Sequence, residues 1–276
     1  MGDYLRPLRL EEALAALTRP HTVLAGGTDF YPARVGRAID EDVLDIGAIA
    51  ALRGISANAG GWRFGATTTW SELVEADLPP LFDGLKQAAR EVGGRQIQNA
   101  GTLAGNLCNA SPAADGVPGL LALGAEVEIA SRTSTRRLPL ERFITGPRRT
   151  DLRSGELVVA LHVAKPAHPA QSAFLKLGAR RYLVISIAMA AATLEVADGQ
   201  VAAARIAVGA CSPVAQRLPA LEAALLGASL DGRLGDRVDP AHLAPLSPID
   251  DVRGTATYRR EAALVLLRRL LAAFRA

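Results

Sequence analysis

The chain has 276 residues, of which 49% are hydrophobic and 21% charged, enough to build a sizeable core as one large domain or two modest ones. A net charge of only +3, basic residues interspersed with acids and a 4% aromatic content speak against the clustered basic face or stacking rings of a nucleic-acid binder. Two cysteines, Cys108 and Cys211, exclude a disulfide scaffold or an iron–sulfur cluster held within the chain, and His21, His162, His168 and His242 have no Cys or carboxylate at ligand spacing, so no metal site is expected.

The opening MGDYLRPLRLEEALAAL lacks the apolar region of a secretory signal. The longest apolar run, LVISIAMAAATL (183–194), falls short of the roughly 18–20 residues that span a bilayer. With two unpaired thiols, the expected location is cytoplasmic. EEALAAL (11–17) has helical apolar spacing with acids in its first turn. TVLA (22–25), VLDIG (43–47) and WRFGATTT (62–69) read as strands, the last two separated by GISANAGG. SELVEA begins a helix with Ser71 as its expected N-cap, and LFDGLKQAAREVG (81–93) is a second helix stopped by Gly93 and Gly94.

IQNAGTLAGNLCNASPAADGVP (97–118) carries few regular signals and is expected to be a long functional loop. A helical GLLALGA, a strand-like EVEIAS and the strand LVVALHV (157–163) follow. KPAHPAQSA (165–173), rich in Pro and Ala, marks the expected boundary between units at 1–165 and 170–276. Beyond it, two strand patterns, YLVISIAMAAATLEVA and QVAAARIAVGA, flank Asp198-Gly199, a strong hairpin signal. PALEAALLG and TYRREAALVLLRRLLAAFRA read as helices. The latter is apolar on more than one side, as a helix buried against a neighbour would be, or a Leu stripe turned inward beneath a solvated Arg face.

Two stretches carry chemistry. In AGGTDF (25–30) paired glycines permit close backbone approach and positive φ, and consecutive N–H groups can form a nest for an anion, though the same residues also suit a plain turn. The dinucleotide fingerprint of glycines opening a helix is absent. In GTLAGNLCNASPAAD (101–115), Thr102, Gly105 and Asn106 offer a hydroxyl, open backbone and an amide, and Asp115 can accept bonds from ribityl or sugar hydroxyls. Two such loops can embrace one extended diphosphate from both sides, or be unrelated surface loops. Cys108 has no base placed to activate it, and Ser111 and Ser186 lack the glycine-flanked setting of a nucleophile elbow.

The chain resembles the medium, FAD-binding subunit of the molybdenum hydroxylases, the xanthine dehydrogenase/carbon monoxide dehydrogenase family. The similarity rests on AGGTDFYPARVG, FGATTTWSEL, GGRQIQNAGTLAGNLCNASPAADGVPGLLALGAEVE, GELVVALHV and FLKLGARRYLVISIAMAA. It implies an α+β fold: a two-subdomain FAD-binding fold of the vanillyl-alcohol oxidase/PCMH type, then a smaller α+β C-terminal domain with an antiparallel sheet and helices. By position, the family's first FAD loop falls on Leu24, Ala25, Gly26, Gly27, Thr28, Asp29 and Phe30. The second falls on Thr102, Leu103, Ala104, Gly105 and Asn106, with its acid at Asp115. Val158, with Leu157 beside it, matches a hydrophobic residue near the isoalloxazine, Lys176 matches a lysine past the linker, and Arg180-Arg181-Tyr182 is expected to approach the flavin.

Ala104 stands where relatives mostly carry a second glycine, which puts the loop's backbone geometry in question. Val92 replaces an aromatic found in some relatives, and a cysteine-rich insertion with a further cluster is absent. The resemblance implies no catalytic residue in this chain. The molybdenum–pterin centre is expected in a large partner and the [2Fe–2S] clusters in a small partner, as a dimer of heterotrimers delivering electrons through FAD to a final acceptor. A stand-alone flavin reductase of the same fold and a flavin-free assembly subunit are the alternatives.

Overall fold

A computed structural model describes residues 2–275. Strands β1 (Tyr4–Leu5), β2 (Thr22–Leu24) and β3 (Val43–Asp45) form a small parallel sheet in the order β1-β3-β2, and helix α1 (Leu10–Ala16) connects the first two. Ala13, Leu14 and Leu17 of the α1 region pack on Leu44 and Ile46. β4 (Ile55–Asn58) and β5 (Gly61–Gly65) form a hairpin within the segment 54–65, so most of the expected spacer GISANAGG is strand.

Helices α2 (Trp70–Glu75), α3 (Asp83–Glu91), α4 (Arg95–Ala100), α5 (Leu103–Asn109) and α6 (Gly116–Ala122) follow. The N-cap of α2 is Thr69 rather than Ser71. The Thr69 hydroxyl accepts from Glu72 N at 3.2 Å while Glu72 accepts from Thr69 N at 2.8 Å, a closed capping box. Ser71 instead donates to Asn99 Oδ1 at 2.5 Å. The expected long loop over 97–118 is mostly helix. Its Gly, Asn and Pro are poor helix formers, yet Leu103/Leu107 and Val117/Leu120/Leu121 recur at helical spacing and are fully buried. Tertiary burial outweighs local preference there.

β6 (Glu126–Ala130), β7 (Thr135–Pro139), the short helix α7 (Leu140–Phe143), the two-stranded β8 (Ile144–Gly146) and β9 (Arg149–Thr150), and β10 (Leu157–Ala164) complete the first unit. Its antiparallel sheet runs β4-β5-β10-β6-β7, with β10 at the centre.

β11 (Ala170–Leu177), β12 (Ala188–Ala197), β13 (Gln200–Gly209) and β14 (Gln216–Arg217) make a second antiparallel sheet in chain order, flanked by α8 (Pro219–Leu225) and α9 (Ala256–Ala272). The β12–β13 hairpin turns at Asp198 (φ 50°) and Gly199 (φ 72°), both left-handed, as the sequence predicts. β12 starts at Ala188; residues 182–187 are irregular, where the apolar run suggested a longer strand.

Residues 188–194 of β12 are buried on both faces. Ala188, Ala190 and Ala192 meet Leu267, Leu270 and Leu271 of α9, while Met189 and Ala191 meet Ala88 of α3 and Ala122 of α6. The apolar side of α9 is therefore covered by its own chain's sheet. Inside that layer Arg259 is 1% exposed; it donates to the carbonyls of Ile187 (2.7 Å) and Ala210 (3.0 Å) and to Asp251 (2.6 Å).

The two sheets meet through α3. Gly84 N donates to Ser172 Oγ at 2.8 Å, Ser172 Oγ donates to Leu81 O at 2.6 Å, and Phe174 N donates to Gln87 Oε1 at 2.8 Å. A Cβ on Gly84 would lie 2.9 Å from the backbone of Ala173. Gly84→Ala is expected to prise α3 from β11 and cost about 1–3 kcal/mol, read as a lowered midpoint in urea denaturation.

Candidate functional site

A cleft of about 800 Å³ opens between the parallel sheet, the α4–α5 region and the segment 183–185. Its size suits a cofactor-scale ligand. The first loop enters it from β2. Gly26 is pressed against the α4 end: a Cβ there would lie 1.8 Å from the carbonyl oxygen of Ala100. Gly27 has φ 72°, and a Cβ would strike the Tyr31 ring at 2.6 Å. Both positions thus favour glycine, Gly26 for its contact with backbone and Gly27 for its left-handed conformation. None of the backbone N–H groups of residues 25–30 finds an acceptor among the described residues, and all of these residues line the cleft. A row of unanswered donors on a cleft wall is an anion-binding nest.

The second loop faces it. Thr102 caps α5 by accepting from Gly105 N at 3.0 Å, and Asn109 Nδ2 reaches across to Asp29 Oδ1 at 2.7 Å, tying the loops together. Ala104 lies inside α5 with ordinary helical backbone and only 3% exposed, so no left-handed residue is needed where relatives carry glycine. Asn106 lines the cleft, and its buried Oδ1 has no hydrogen-bond partner. Such an atom is costly unless a ligand or water answers it.

The structure places most of the sequence-derived residues together. Leu24, Ala25, Gly26, Gly27, Thr28, Asp29, Phe30, Thr102, Ala104, Gly105, Asn106, Asp115 and Val158 all line the cleft, with Leu157 and Val92 beside them. Leu103 does not: its side chain is wholly buried in the core and its N–H is spent on Thr68 O at 3.0 Å. Lys176 does not line it either. From β11 it donates to Asp115 Oδ2 at 2.7 Å, with its side chain 5% exposed. Arg180, Arg181 and Tyr182 stay outside; their neighbours Leu183, Val184 and Ile185 form the wall instead, with Leu183 left-handed at φ 51°. Arg34, Asn109, Arg148 and Glu156 also line the cleft and were not singled out by sequence. Asn109, Arg148 and Glu156 act through contacts distant along the chain, which no local pattern records, whereas Arg34 is fixed by its near neighbours Phe30 and Glu41.

The charges are held in place. Burial pushes the Asp115 carboxyl up from its ordinary value, opposed by Lys176 and by Ser186, whose hydroxyl donates at 2.5 Å. Glu156 is held down by a two-pronged bond from Arg136 at 2.8 and 2.7 Å, which also anchors the approach to β10. Arg34 lies over the Phe30 ring, 3.8 Å from its centroid, and pairs with Glu41. Burial pushes the Cys108 thiol up to about 12, so it stays protonated and is a packing group, not a nucleophile.

Residues 1–166 match the family described as the FAD binding domain in molybdopterin dehydrogenase, and residues 173–274 match the CO dehydrogenase flavoprotein C-terminal domain. The chain belongs to the molybdopterin dehydrogenase flavoproteins. Among relatives of this flavoprotein is a putative xanthine dehydrogenase FAD-binding subunit of Escherichia coli, 31% identical over 94% of this chain and 90% of that one. The carbon monoxide dehydrogenase medium chain of Afipia carboxidovorans is 31% identical over 97% of this chain and 94% of that one. The solved structure of carbon monoxide dehydrogenase from Oligotropha carboxidovorans superposes with a TM-score of 0.89 at 28% identity, covering 98% of this chain and 96% of that chain. The flavoprotein is thus an oxidoreductase component with an FAD-binding domain followed by a C-terminal domain built on an antiparallel sheet. Among the described residues no helix is long and apolar enough to cross a membrane.

Removing Lys176 leaves the buried Asp115 without its cation. Lys176→Met is expected to cost about 3 kcal/mol at pH 7. Asp115, already raised, then rises further, so it binds a proton more readily folded than unfolded. The stability it contributes is present in acid and lost as pH rises through its folded value. The gap between variant and native chain should therefore be wider at pH 7 than at about pH 5, as measured by urea denaturation at both.

Proposed function

We propose that this chain is the FAD-binding electron-transfer subunit of a heterotrimeric molybdenum hydroxylase. In this reading a large molybdenum–pterin subunit oxidises the substrate, a small subunit relays electrons through [2Fe–2S] clusters, and this chain hands them to a final acceptor, within a dimer of heterotrimers. The units 1–165 and 170–276 are its cofactor-binding and C-terminal parts.

The observation that carries the reading is the row of unanswered N–H groups over residues 25–30 facing the orphaned Asn106 Oδ1 across one cleft. Donors at 25–30 suit a diphosphate; an amide oxygen with no donor suits a ligand hydroxyl or N–H. Gly26, Gly27 and Thr28 would hold the diphosphate from one side, with Thr102, Gly105 and Asn106 from the other. Asp115, held in place by Lys176 and Ser186, would accept from ribityl hydroxyls. Val92, Leu157 and Val158 would exclude water from the ring system. FAD, when bound, supplies a redox centre able to exchange one or two electrons; the chain's work is to bind, orient and shield it.

Among the described residues that line the cleft, Asp115 and Glu156 are ion-paired, Asp29 is held by the Asn109 amide and Cys108 is protonated, which supports electron transfer over a stand-alone reductase. The flavin-free alternative drew on Ala104, and the helical backbone there removes that ground. The purified chain is expected to show the visible spectrum of oxidised flavin and to co-purify with a molybdenum subunit. Gly26→Ala and Gly27→Val should both lose the spectrum, and full flavin content in either would sink the reading.

A further inference from the structure

Arg148 sits at the second central position of the two-residue turn joining β8 to β9, Gly146-Pro147-Arg148-Arg149. Its φ is 58°. Gly or Asn is favoured at a left-handed turn position, because a larger side chain crowds the backbone there. An arginine kept against that preference calls for a reason in its side chain.

The side chain supplies one. Arg148 lines the cleft, and its Nη1 donates to Asn109 O at 3.2 Å and to Asn109 Oδ1. Asn109 in turn donates to Asp29 of the nest loop at 2.7 Å. The guanidinium is thus fixed within two hydrogen bonds of the 25–30 donors. Its Nε and Nη2 make no hydrogen bond, and no carboxylate pairs with it among the described residues. The only other cation lining the cleft among the described residues, Arg34, is taken up by Glu41 and the carbonyl of Phe30. One cleft cation is therefore held in place with its fork still open.

We propose that Arg148 is a cofactor-binding residue, the counter-charge that the cleft presents to the phosphate part of FAD. The inference rests on the FAD reading above and adds a residue to it. A guanidinium whose Nε and Nη2 form one free edge matches two phosphate oxygens in number and geometry. The backbone nest supplies dipoles; Arg148 supplies the full charge that a dianionic diphosphate requires. Asn109 joins the two: it donates to the Asp29 carboxylate and accepts from Arg148, so the guanidinium is tied to the nest loop through Asn109.

The test uses the full chain stripped of flavin and titrated with FAD, following flavin fluorescence at low and high ionic strength. Arg148→Gly removes the guanidinium and relieves the left-handed strain; Arg148→Lys keeps a charge. The glycine variant is expected to melt no lower than the native chain and to bind FAD about ten- to a hundredfold more weakly. That gap should narrow as salt screens the charge, and the lysine variant should recover most of the affinity. Native affinity in Arg148→Gly overturns the proposal. So does a loss that salt leaves unchanged and lysine fails to rescue, which would mark a purely structural role. A native chain that takes up no FAD overturns the cofactor reading and this inference with it.

Discussion

The contact that organises the site is the one between Gly26 and the carbonyl of Ala100. The β2 turn and the α4 end approach so closely that no side chain fits between them. This approach points the N–H groups of residues 25–30 away from any partner in their own chain. It also brings Asp29 within reach of Asn109, 80 residues further on, which closes the two loops into one wall. The parallel sheet below serves to deliver the turn to that place, and the buried leucines of α5 hold the opposite face.

The carboxylates around the cleft follow a common rule. Asp29 is engaged by Asn109, Asp115 by Lys176 and Ser186, and Glu156 by Arg136. A site meant for an anionic ligand has to answer its own acids first, because an unpartnered carboxylate in a low-dielectric cleft repels the ligand and is itself penalised. Of these three carboxylates, Asp115 and Glu156 are answered by a cation and Asp29 by the Asn109 amide alone.

What could be read from sequence was local chemistry. The Gly26-Gly27 turn and the Asp198-Gly199 hairpin each act through their own few residues, and each stands where the sequence placed it. Helix α5 does not show in the sequence because it depends on burying Leu103 and Leu107 rather than on intrinsic preference, whereas the helical GLLALGA falls on the end of α6. Leu103 falls within the second loop by resemblance, yet its side chain turns to the core for a related reason: a resemblance aligns positions, whereas helix periodicity decides which side chain is buried. Lys176 was found by resemblance alone, and its partner Asp115 lies in the other unit. Arg148 and Asn109 left no signal at all, since their meaning lies in contacts made across 39 residues.

The Asp115 cluster also sets an order of events in the making of the protein. Asp115 leaves the ribosome 61 residues ahead of Lys176 and 71 ahead of Ser186. Until both have emerged and β11 has docked on α3, a carboxylate at the floor of the cleft has neither cation nor hydroxyl. The nascent first unit can close its own two loops, but its cleft becomes electrically complete only when the C-terminal sheet arrives. A chain cut short before β11 would lack both partners of Asp115, and with them the completed floor of the cleft.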